Sequence, residues 1–172
     1  MNDTFLPGKG FDTYEEQDRV LMGLSGSVRS GVAVRILQQQ GFAVAAAVVR
    51  LADTPEEHAA AEAAKALAKK LDVECLALNA EALAGQDAEA ARFAALLTAA
   101  DKLSIQYVAS GHYARMETDA QGVSHLFPPE SGAPDESSRL AALSPEVLAR
   151  LILPLGDFAP EDVEDMAKDF KL

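Results

Sequence analysis

Short apolar runs and longer helix-like stretches alternate along the first two thirds of the chain. Four apolar runs have the length of buried strands: Val20–Leu24, Phe42–Leu51, Val73–Leu78 and Tyr107–Ser110. Three stretches have the length and spacing of helices: Gly31–Gln40, Pro55–Leu71 and Ala88–Lys102. Strands that are apolar throughout and alternate with helices are typical of a parallel sheet covered on both faces. The pattern therefore predicts a doubly wound α/β fold with right-handed crossovers.

Residues that start and stop helices support this prediction. The segment Asp53–Glu57 places a capping side chain before a first-turn proline and acidic residues. Gly41 follows the first predicted helix in the position of a left-handed cap. Two more helices are predicted to begin at Ser144-Pro145 and at Ala159-Pro160, and the second is expected to run to the chain end.

The region between these helices and the alternating part has a different pattern. A turn sequence predicts a small hairpin of Tyr113–Glu117 and Val123–Phe127, and Pro128–Pro134 is predicted to be a flexible loop. Residues 1–17 are interpreted as a loose N-terminal arm, and residues 18–172 as a single domain.

Composition narrows the class of protein. With 172 residues, of which 49% are hydrophobic, the chain is long enough for one globular domain with a substantial core. Its single cysteine excludes an internal disulfide framework and a cysteine-based zinc site. The first five residues lack the basic start and apolar core of a signal peptide, and no apolar run approaches the roughly 20 residues that span a bilayer. These features predict a cytoplasmic protein without a membrane partner.

The charge balance bears on the class of partner. The 27 acidic and 15 basic residues give a net charge of −12, and Glu161–Asp169 is interpreted as a solvated acidic helix face. Nucleic-acid affinity comes largely from Lys and Arg that neutralise phosphates. We therefore expect weak or no tRNA binding by the chain alone, with a Kd above the roughly 10⁻⁴–10⁻⁶ M of non-specific contacts at physiological salt.

The strongest candidate site is the loop Ser25–Ser30, which lies between the first predicted strand and the first predicted helix. Loops of this kind bind phosphate because backbone N–H groups point outward and the helix dipole favours an anion. The alternative is a plain strand-to-helix turn with no ligand. Arg29 is unusual because it places a bulky cation in the middle of this small-residue loop.

The cysteine and the histidines are weaker candidates. Cys75 is predicted to be a buried, inert thiol in a central strand, since a free cysteine behaves as a small hydrophobe. His112 follows Gly111 at a strand end, where open α/β sheets bind ligands, although a structural role is favoured over a catalytic one. His58 and His125 have no neighbouring Cys, His or acidic residue at the spacing of metal ligands.

Three segments in order resemble a known family, the tRNA-specific 2-thiouridylases of the PP-loop ATP pyrophosphatase superfamily. Leu24–Ser30 resembles the family's Ser-Gly-Gly-Val-Asp-Ser loop, and Ala109–Arg115 is similar to its Ala-Thr-Gly-His-Tyr-Ala-Arg segment. Leu143–Gly156 resembles the segment that ends the family's nucleotide-binding domain. The resemblance covers about residues 18–172 and points to common descent.

The resemblance implies a fold and a ligand. The fold is a doubly wound sheet of the PP-loop, adenine nucleotide alpha hydrolase-like type, and the implied ligands are ATP or AMP with magnesium. The residues that would bind the nucleotide by this resemblance are Ser25, Gly26, Ser27, Val28, Arg29, Ser30, Gly111 and His112.

Departures from the family concern sulfur chemistry and positive charge. Ser27 stands where the family has a second glycine, and Arg29 stands where it has an aspartate that matters for magnesium–pyrophosphate chemistry. The family's catalytic cysteine belongs to a segment that matches Ala84–Arg92, which contains no cysteine. We therefore expect no autonomous tRNA thiolation, because a thiouridylase needs a nucleophilic cysteine to deliver sulfur.

Departures also occur in the later segments. The family's Lys-Asp-Gln-Ser-Tyr motif corresponds to Pro134–Ser138, which lacks the lysine, and its basic pair falls on Pro160 and Glu164. The family's second cysteine and its C-terminal domains, which help to hold tRNA, have no counterpart before Leu172.

Arg29 has two opposed interpretations. It could pair with a phosphate, as guanidinium groups do, or it could occupy the pyrophosphate space and form a salt bridge with an acidic neighbour. The second interpretation is favoured, and by it the double variant Ser27→Gly, Arg29→Asp gains affinity for ATP in magnesium buffer.

Three functions stay open at this point. One is a degenerate, non-catalytic thiouridylase homologue that binds an adenine nucleotide. Another is an ATP-dependent adenylating subunit of tRNA thiolation that acts with a protein partner. The last is an interaction module or homodimer whose nucleotide site is closed by Arg29.

Overall fold

The computed structural model describes residues 18–130 and 132–172 and is built on a five-stranded parallel sheet. Its strands are β1 (Arg19–Gly23), β2 (Ala43–Arg50), β3 (Cys75–Asn79), β4 (Tyr107–Ala109) and β7 (Leu151–Ile152). Their spatial order is β3-β2-β1-β4-β7, so that β1 lies at the centre. The strands β5 (Arg115–Thr118) and β6 (Ser124–Phe127) form a separate antiparallel hairpin. The predicted arm, residues 1–17, and Ser131 of the predicted loop lie outside the described residues.

Helices cover both faces of this sheet. They are α1 (Val28–Gln39), α2 (Pro55–Leu71), α3 (Ala88–Lys102), α4 (Pro145–Arg150) and α5 (Pro160–Asp169), with short 3₁₀ turns at Glu81–Leu83 and Ser137–Leu140. One face packs against α1, α2 and α5, and the opposite face packs against α3 and α4. Alternate residues of β1 face the two layers: Val20 and Met22 belong to the first core cluster, and Leu21 belongs to the second. The predicted doubly wound α/β fold is therefore confirmed.

Local capping explains why two of the helices have the bounds that the sequence predicted. Both α2 and α3 have the predicted bounds, and the Thr54 hydroxyl accepts the N–H of Glu57 as the cap of α2. Ser144 caps α4 in the same way. Gly41 has a φ of 99°, a left-handed conformation that suits the residue after a helix.

Several boundaries differ from the prediction. Helix α1 begins at Val28 rather than Gly31, because Ser27 is the N-cap of the helix. The Ser27 carbonyl oxygen accepts the N–H of Ser30. The last helix ends at Asp169 and does not continue to the chain end. The hairpin strands are shorter than predicted, since Tyr113 precedes β5. Strand β7 was not predicted because its two residues are too few for a period-2 pattern.

The prediction that Cys75 lies in a central strand is wrong. It begins β3, which is the edge strand of the sheet, and its side chain is only partly buried. Burial nevertheless raises the pKa of the Cys75 thiol, which disfavours the thiolate form. The thiol therefore has the electrostatics of a structural cysteine.

The acidic surface and the helix lengths agree with the composition. Glu161, Asp162, Glu164, Asp165 and Asp169 are all exposed on α5, as the sequence predicted. Among the helices of residues 18–130 and 132–172, none has the length and apolar character that a membrane crossing requires.

Candidate functional site

A cavity of about 320 Å³ opens where the carboxyl ends of β1, β2 and β4 meet. Because β1 connects to β2 on one side and pairs with β4 on the other, this position is the topological switch point of the sheet. Its apolar lining is mostly buried and comes from strand ends and two helices: Leu24, Ala47, Val48, Val49, Ala60, Phe93 and Leu96. The polar lining, which we call the rim or mouth, consists of Ser25, Ser27, Arg29, Ser30, Glu57, Glu89, Arg92, Ser110, His112 and Arg139. The cavity thus combines an apolar part with a polar part.

The loop after β1 is tightly folded at this mouth. Gly26 has a φ of 85°, and a Cβ added to it would lie 3.0 Å from the Ala63 Cβ of α2. The Ser25 and Ser27 hydroxyls are 2.9 Å apart, and the Ser30 hydroxyl donates to the Ser27 carbonyl at 2.7 Å. The first N–H groups of a helix have no partner within the helix, so the start of α1 is suited to an anion.

Arg29 lies in the first turn of α1 and is held by a buried carboxylate. Its Nη2 donates to the Oε2 of Glu136 at 3.3 Å, and its guanidinium lies 4.6 Å from the centre of the Tyr113 ring. The other carboxylate oxygen of Glu136 accepts the N–H of Tyr113 at 2.8 Å. The Glu136 side chain is only 11% exposed, whereas that of Arg29 is 35% exposed. Arg29 therefore forms the salt bridge that one interpretation required, yet the loop beside it still borders an open cavity.

His112 lines the same cavity and belongs to a chain of three polar side chains. Its Nε2 lies 2.6 Å from the Oε2 of Glu89, and its Nδ1 lies 2.8 Å from the Ser110 hydroxyl. The hydrogen bond with His112 lowers the pKa of Glu89, although burial opposes this shift. Because an ionised carboxylate only accepts, Nε2 carries the proton of this bond. The position of His112 is therefore fixed by two partners.

The remaining charged side chains of the rim are also paired. The Glu57 carboxylate accepts the N–H of Leu51 at 2.7 Å, and this bond lowers the pKa of Glu57. Arg92 donates to the other oxygen of Glu57 at 3.4 Å and to the Val49 carbonyl at 2.9 Å. Arg139 lies 3.6 Å from Glu136. Three guanidinium groups thus line the cavity at sites fixed by the surrounding chain.

The residues implied by the resemblance are brought together only in part. Ser25, Ser27, Arg29, Ser30, Gly111 and His112 line the cavity. Gly26 instead approaches α2, and Val28 is 45% exposed outside the lining. Sequence reasoning missed Glu57, Glu89, Arg92 and Arg139, which reach the cavity from α2, from α3 and from the turn Ser137–Leu140. The signal that could have found the helical residues is their place just after the ends of neighbouring parallel strands.

The described residues offer no ready-made cluster of protein ligands for magnesium at this site. Within the described ranges, no group of three or more His, Cys, Asp or Glu side chains could hold a metal ion. His58 and His125 do have aspartate partners in the fold, Asp53 and Asp119, but only as pairs. At the loop itself, Arg29 supplies a positive charge where a metal would need an anion.

The Glu89–His112 contact leads to a pH-dependence that can be measured. Because the pKa of Glu89 is lowered in the fold, its charge stabilises the protein above the usual glutamate range, and this contribution is lost as pH falls through the lowered pKa. We expect Glu89→Gln to lower the free energy of unfolding by about 1–2 kcal/mol near neutral pH. The difference from the unmodified chain should shrink as the pH falls below the usual glutamate range and through the lowered pKa of Glu89.

Urea unfolding of both proteins across this pH range measures the effect. Glu62→Gln is the control, because the Glu62 side chain is 75% exposed, and we expect a change below about 0.5 kcal/mol at every pH. A pH-independent loss in Glu89→Gln would contradict an electrostatic role for the pair.

Solved structures with the same fold act on tRNA according to their descriptions. The chain superposes on the U34-tRNA thiolase NcsA from Methanococcus maripaludis with a TM-score of 0.63 and 15% identity, over 94% of this chain and 59% of that one. It also superposes on a predicted subunit of tRNA methyltransferase from Methanocaldococcus jannaschii with a TM-score of 0.53 and 17% identity, over 88% and 74% of the two chains. At these identities the likeness shows that the chain shares their α/β fold.

Sequence comparison identifies the family. The chain is 32% identical over 184 residues to the tRNA-specific 2-thiouridylase MnmA of Yersinia pestis (strain Pestoides F), covering 91% of this chain and 49% of the relative. It is 27% identical to MnmA of Lacticaseibacillus paracasei, covering 87% and 47%. The chain therefore spans about half the length of these relatives. The tRNA methyl transferase HUP domain family matches residues 87–172, half of the chain. This chain therefore belongs to the tRNA methyl transferase HUP domain family, and it is similar to the tRNA-specific 2-thiouridylases over about half of their length.

Proposed function

We propose that this chain is a nucleotide-binding member of the thiouridylase family that binds an adenine nucleotide and does not by itself transfer sulfur to tRNA. The observation that carries the proposal is the cavity at the switch point of the sheet, where an apolar pocket adjoins a loop at a helix N-terminus. Its volume, about 320 Å³, is within the range of small-molecule sites.

The two parts of a nucleotide suit the two parts of the cavity. A flat, apolar base suits the pocket between the strand ends and Phe93, which is buried. The phosphates suit the mouth, where the Ser25, Ser27 and Ser30 hydroxyls adjoin the start of α1. The serine hydroxyls and helix N–H groups both donate to phosphate oxygens.

The absence of sulfur transfer is proposed from the position of the cysteine. Cys75 is the single cysteine of the 172 residues, and it does not belong to the cavity lining. It lies on an edge strand, and burial raises the pKa of its thiol, whereas a nucleophilic thiolate needs a lowered pKa.

We also propose that tRNA binds weakly to this chain alone. The net charge is −12, and the exposed face of α5 is acidic. Both features repel a phosphate backbone. Under this proposal, binding or modification of tRNA needs a surface that the chain itself does not supply.

Calorimetry with adenosine, AMP and ATP tests the proposal. We expect all three to bind, and we expect Ala60→Leu to weaken each by about tenfold or more, because the larger side chain takes up space in the cavity that Ala60 lines. The matched control is Ala59→Leu, since Ala59 is the exposed preceding residue of α2 and does not line the cavity.

Two results would contradict the proposal. If none of the three ligands binds, the interaction module becomes the better hypothesis. If 2-thiouridine forms in tRNA incubated with this chain, ATP and a sulfur donor alone, the proposed lack of sulfur transfer is wrong. Cys75→Ser is the control for that assay.

A further inference from the structure

The cavity concentrates guanidinium groups, although the chain as a whole is acidic. Three arginines line the cavity, Arg29, Arg92 and Arg139, together with two glutamates, Glu57 and Glu89. Glu136 pairs with Arg29 and Arg139, so the arginines and glutamates of this region balance, while the chain carries a net charge of −12. Guanidinium groups pair with phosphate in a bidentate geometry, so this wall is suited to a phosphorylated ligand.

The carboxylates of this wall are engaged within the protein. Glu57 accepts from the Leu51 N–H at 2.7 Å with one oxygen and from Arg92 at 3.4 Å with the other. Glu89 lies 2.6 Å from the Nε2 of His112. Magnesium is usually held through one or two carboxylates together with substrate phosphates and waters, and both carboxylates of this cavity already have partners within the protein.

Two departures from the family contact each other in the fold. By the resemblance, Arg29 stands at the position of the loop aspartate, and Glu136 stands at the position of the glutamine in the Lys-Asp-Gln-Ser-Tyr motif. Their side chains meet at 3.3 Å, although the residues are 107 positions apart. The largely buried carboxylate of Glu136 thus holds the Arg29 guanidinium at the cavity wall.

We propose that Arg29, held by Glu136, replaces magnesium as the counter-charge of this site, so that the chain binds nucleotide phosphates without a divalent cation held by the protein. This inference rests on the proposed nucleotide binding and concerns the form of the ligand that the site accepts. Of the two interpretations of Arg29, it adopts the one in which the guanidinium pairs with a phosphate, and not the one in which the side chain occupies the pyrophosphate space.

Titration of the unmodified chain with ATP in EDTA and in magnesium buffer tests this inference. We expect ATP in EDTA to bind at least as tightly as ATP with magnesium, because Arg29, and not a magnesium ion, is proposed to neutralise the phosphate charge. Binding that weakens by about tenfold or more on removal of magnesium would overturn the inference and leave the proposed function standing. Absence of binding by ATP, AMP and adenosine in both buffers would overturn both.

Variants of α1 assign the effect to Arg29. We expect Arg29→Gln to weaken ATP binding in EDTA by about ten- to a hundredfold, the equivalent of one charge-assisted contact, and to change adenosine binding little. Arg35→Gln is the matched control: it removes the same charge from the same helix, but Arg35 contacts Gln38 and the Leu71 carbonyl outside the cavity lining. Equal effects of the two variants would overturn the inference.

The reverse exchange gives a second readout. The triple variant Ser27→Gly, Arg29→Asp, Glu136→Gln restores the family's residues at all three positions. We expect its binding of ATP to depend on magnesium and to be lost in EDTA, because it has neither the Arg29 guanidinium nor, in EDTA, a metal ion to neutralise the phosphates. A triple variant that binds adenosine but shows no magnesium dependence for ATP would contradict the replacement of metal by Arg29.

Discussion

Gly26→Ala is expected to lower the free energy of unfolding by about 2–4 kcal/mol, which is among the largest effects of a single methyl group in this protein. The residue has a φ of 85°, where any Cβ is strained. The added Cβ would also lie 3.0 Å from the Ala63 Cβ and 3.2 Å from the Ala60 carbonyl oxygen. Because these atoms belong to α2, the helix or the loop must move.

Gly41→Ala separates strain from steric contact. Gly41 has a φ of 99°, similar to that of Gly26, but no heavy atom lies within 4 Å of a Cβ added there. We expect this variant to cost only about 1 kcal/mol, the backbone strain alone. Chemical denaturation of both variants measures the difference. Equal losses of unfolding free energy in the two variants would mean that α2 accommodates the added methyl group and that the loop is not tightly packed against this helix.

The elements of this fold were predictable where the signals are local. The cap and proline at Thr54-Pro55 set the start of α2, and the alternation of apolar runs with helices set the fold class. Even the boundary that was wrong has a local cause, because the side chain of Ser27 is the true cap of α1. A serine in a small-residue loop is ambiguous, since it serves equally as a loop residue and as a cap.

The order of strands was less accessible because it depends on distant pairing. The sequence around Cys75 is typical of a strand, but nothing in the sequence of β3 distinguishes an edge strand from a central strand. Strand β7 is defined only by its pairing with β4 and has no pattern of its own. In parallel sheets the apolar run indicates burial on both faces, and it does not specify how many neighbours the strand has.

The candidate site divides in the same way. The loop was found because a strand, small residues and a helix follow each other directly. The partners that define its chemistry come from far along the chain: Glu136 reaches Arg29, and Glu89 reaches His112. Such pairs depend on the packing of α3 and of the segment before Ser137 against the sheet, which a local pattern does not contain. The sequence therefore singled out the loop, and the fold shows which charged side chains lie beside it.

Glu136→Ala is expected to cost about 2–4 kcal/mol of unfolding free energy, because Glu136 joins three segments through one buried carboxylate. Its Oε1 accepts the Tyr113 N–H at 2.8 Å, and its Oε2 accepts from Arg29 at 3.3 Å, with Arg139 at 3.6 Å. The side chain is 11% exposed, so water replaces these bonds poorly. Truncation leaves a backbone donor and a partly buried guanidinium without their acceptor.

Two companion variants show which part of the carboxylate matters. Glu136→Gln keeps an amide oxygen for the Tyr113 N–H and loses the charge, so we expect a cost of about 1–2 kcal/mol. Glu130→Ala removes a glutamate that is 70% exposed and lies 3.2 Å from Arg115, and its cost is expected to stay below about 1 kcal/mol. Urea denaturation at neutral pH ranks the three variants. If Glu136→Ala lowers the free energy of unfolding no more than Glu130→Ala does, the Glu136 carboxylate does not hold Arg29 in place. A guanidinium that is not held in place would not serve as a fixed phosphate ligand.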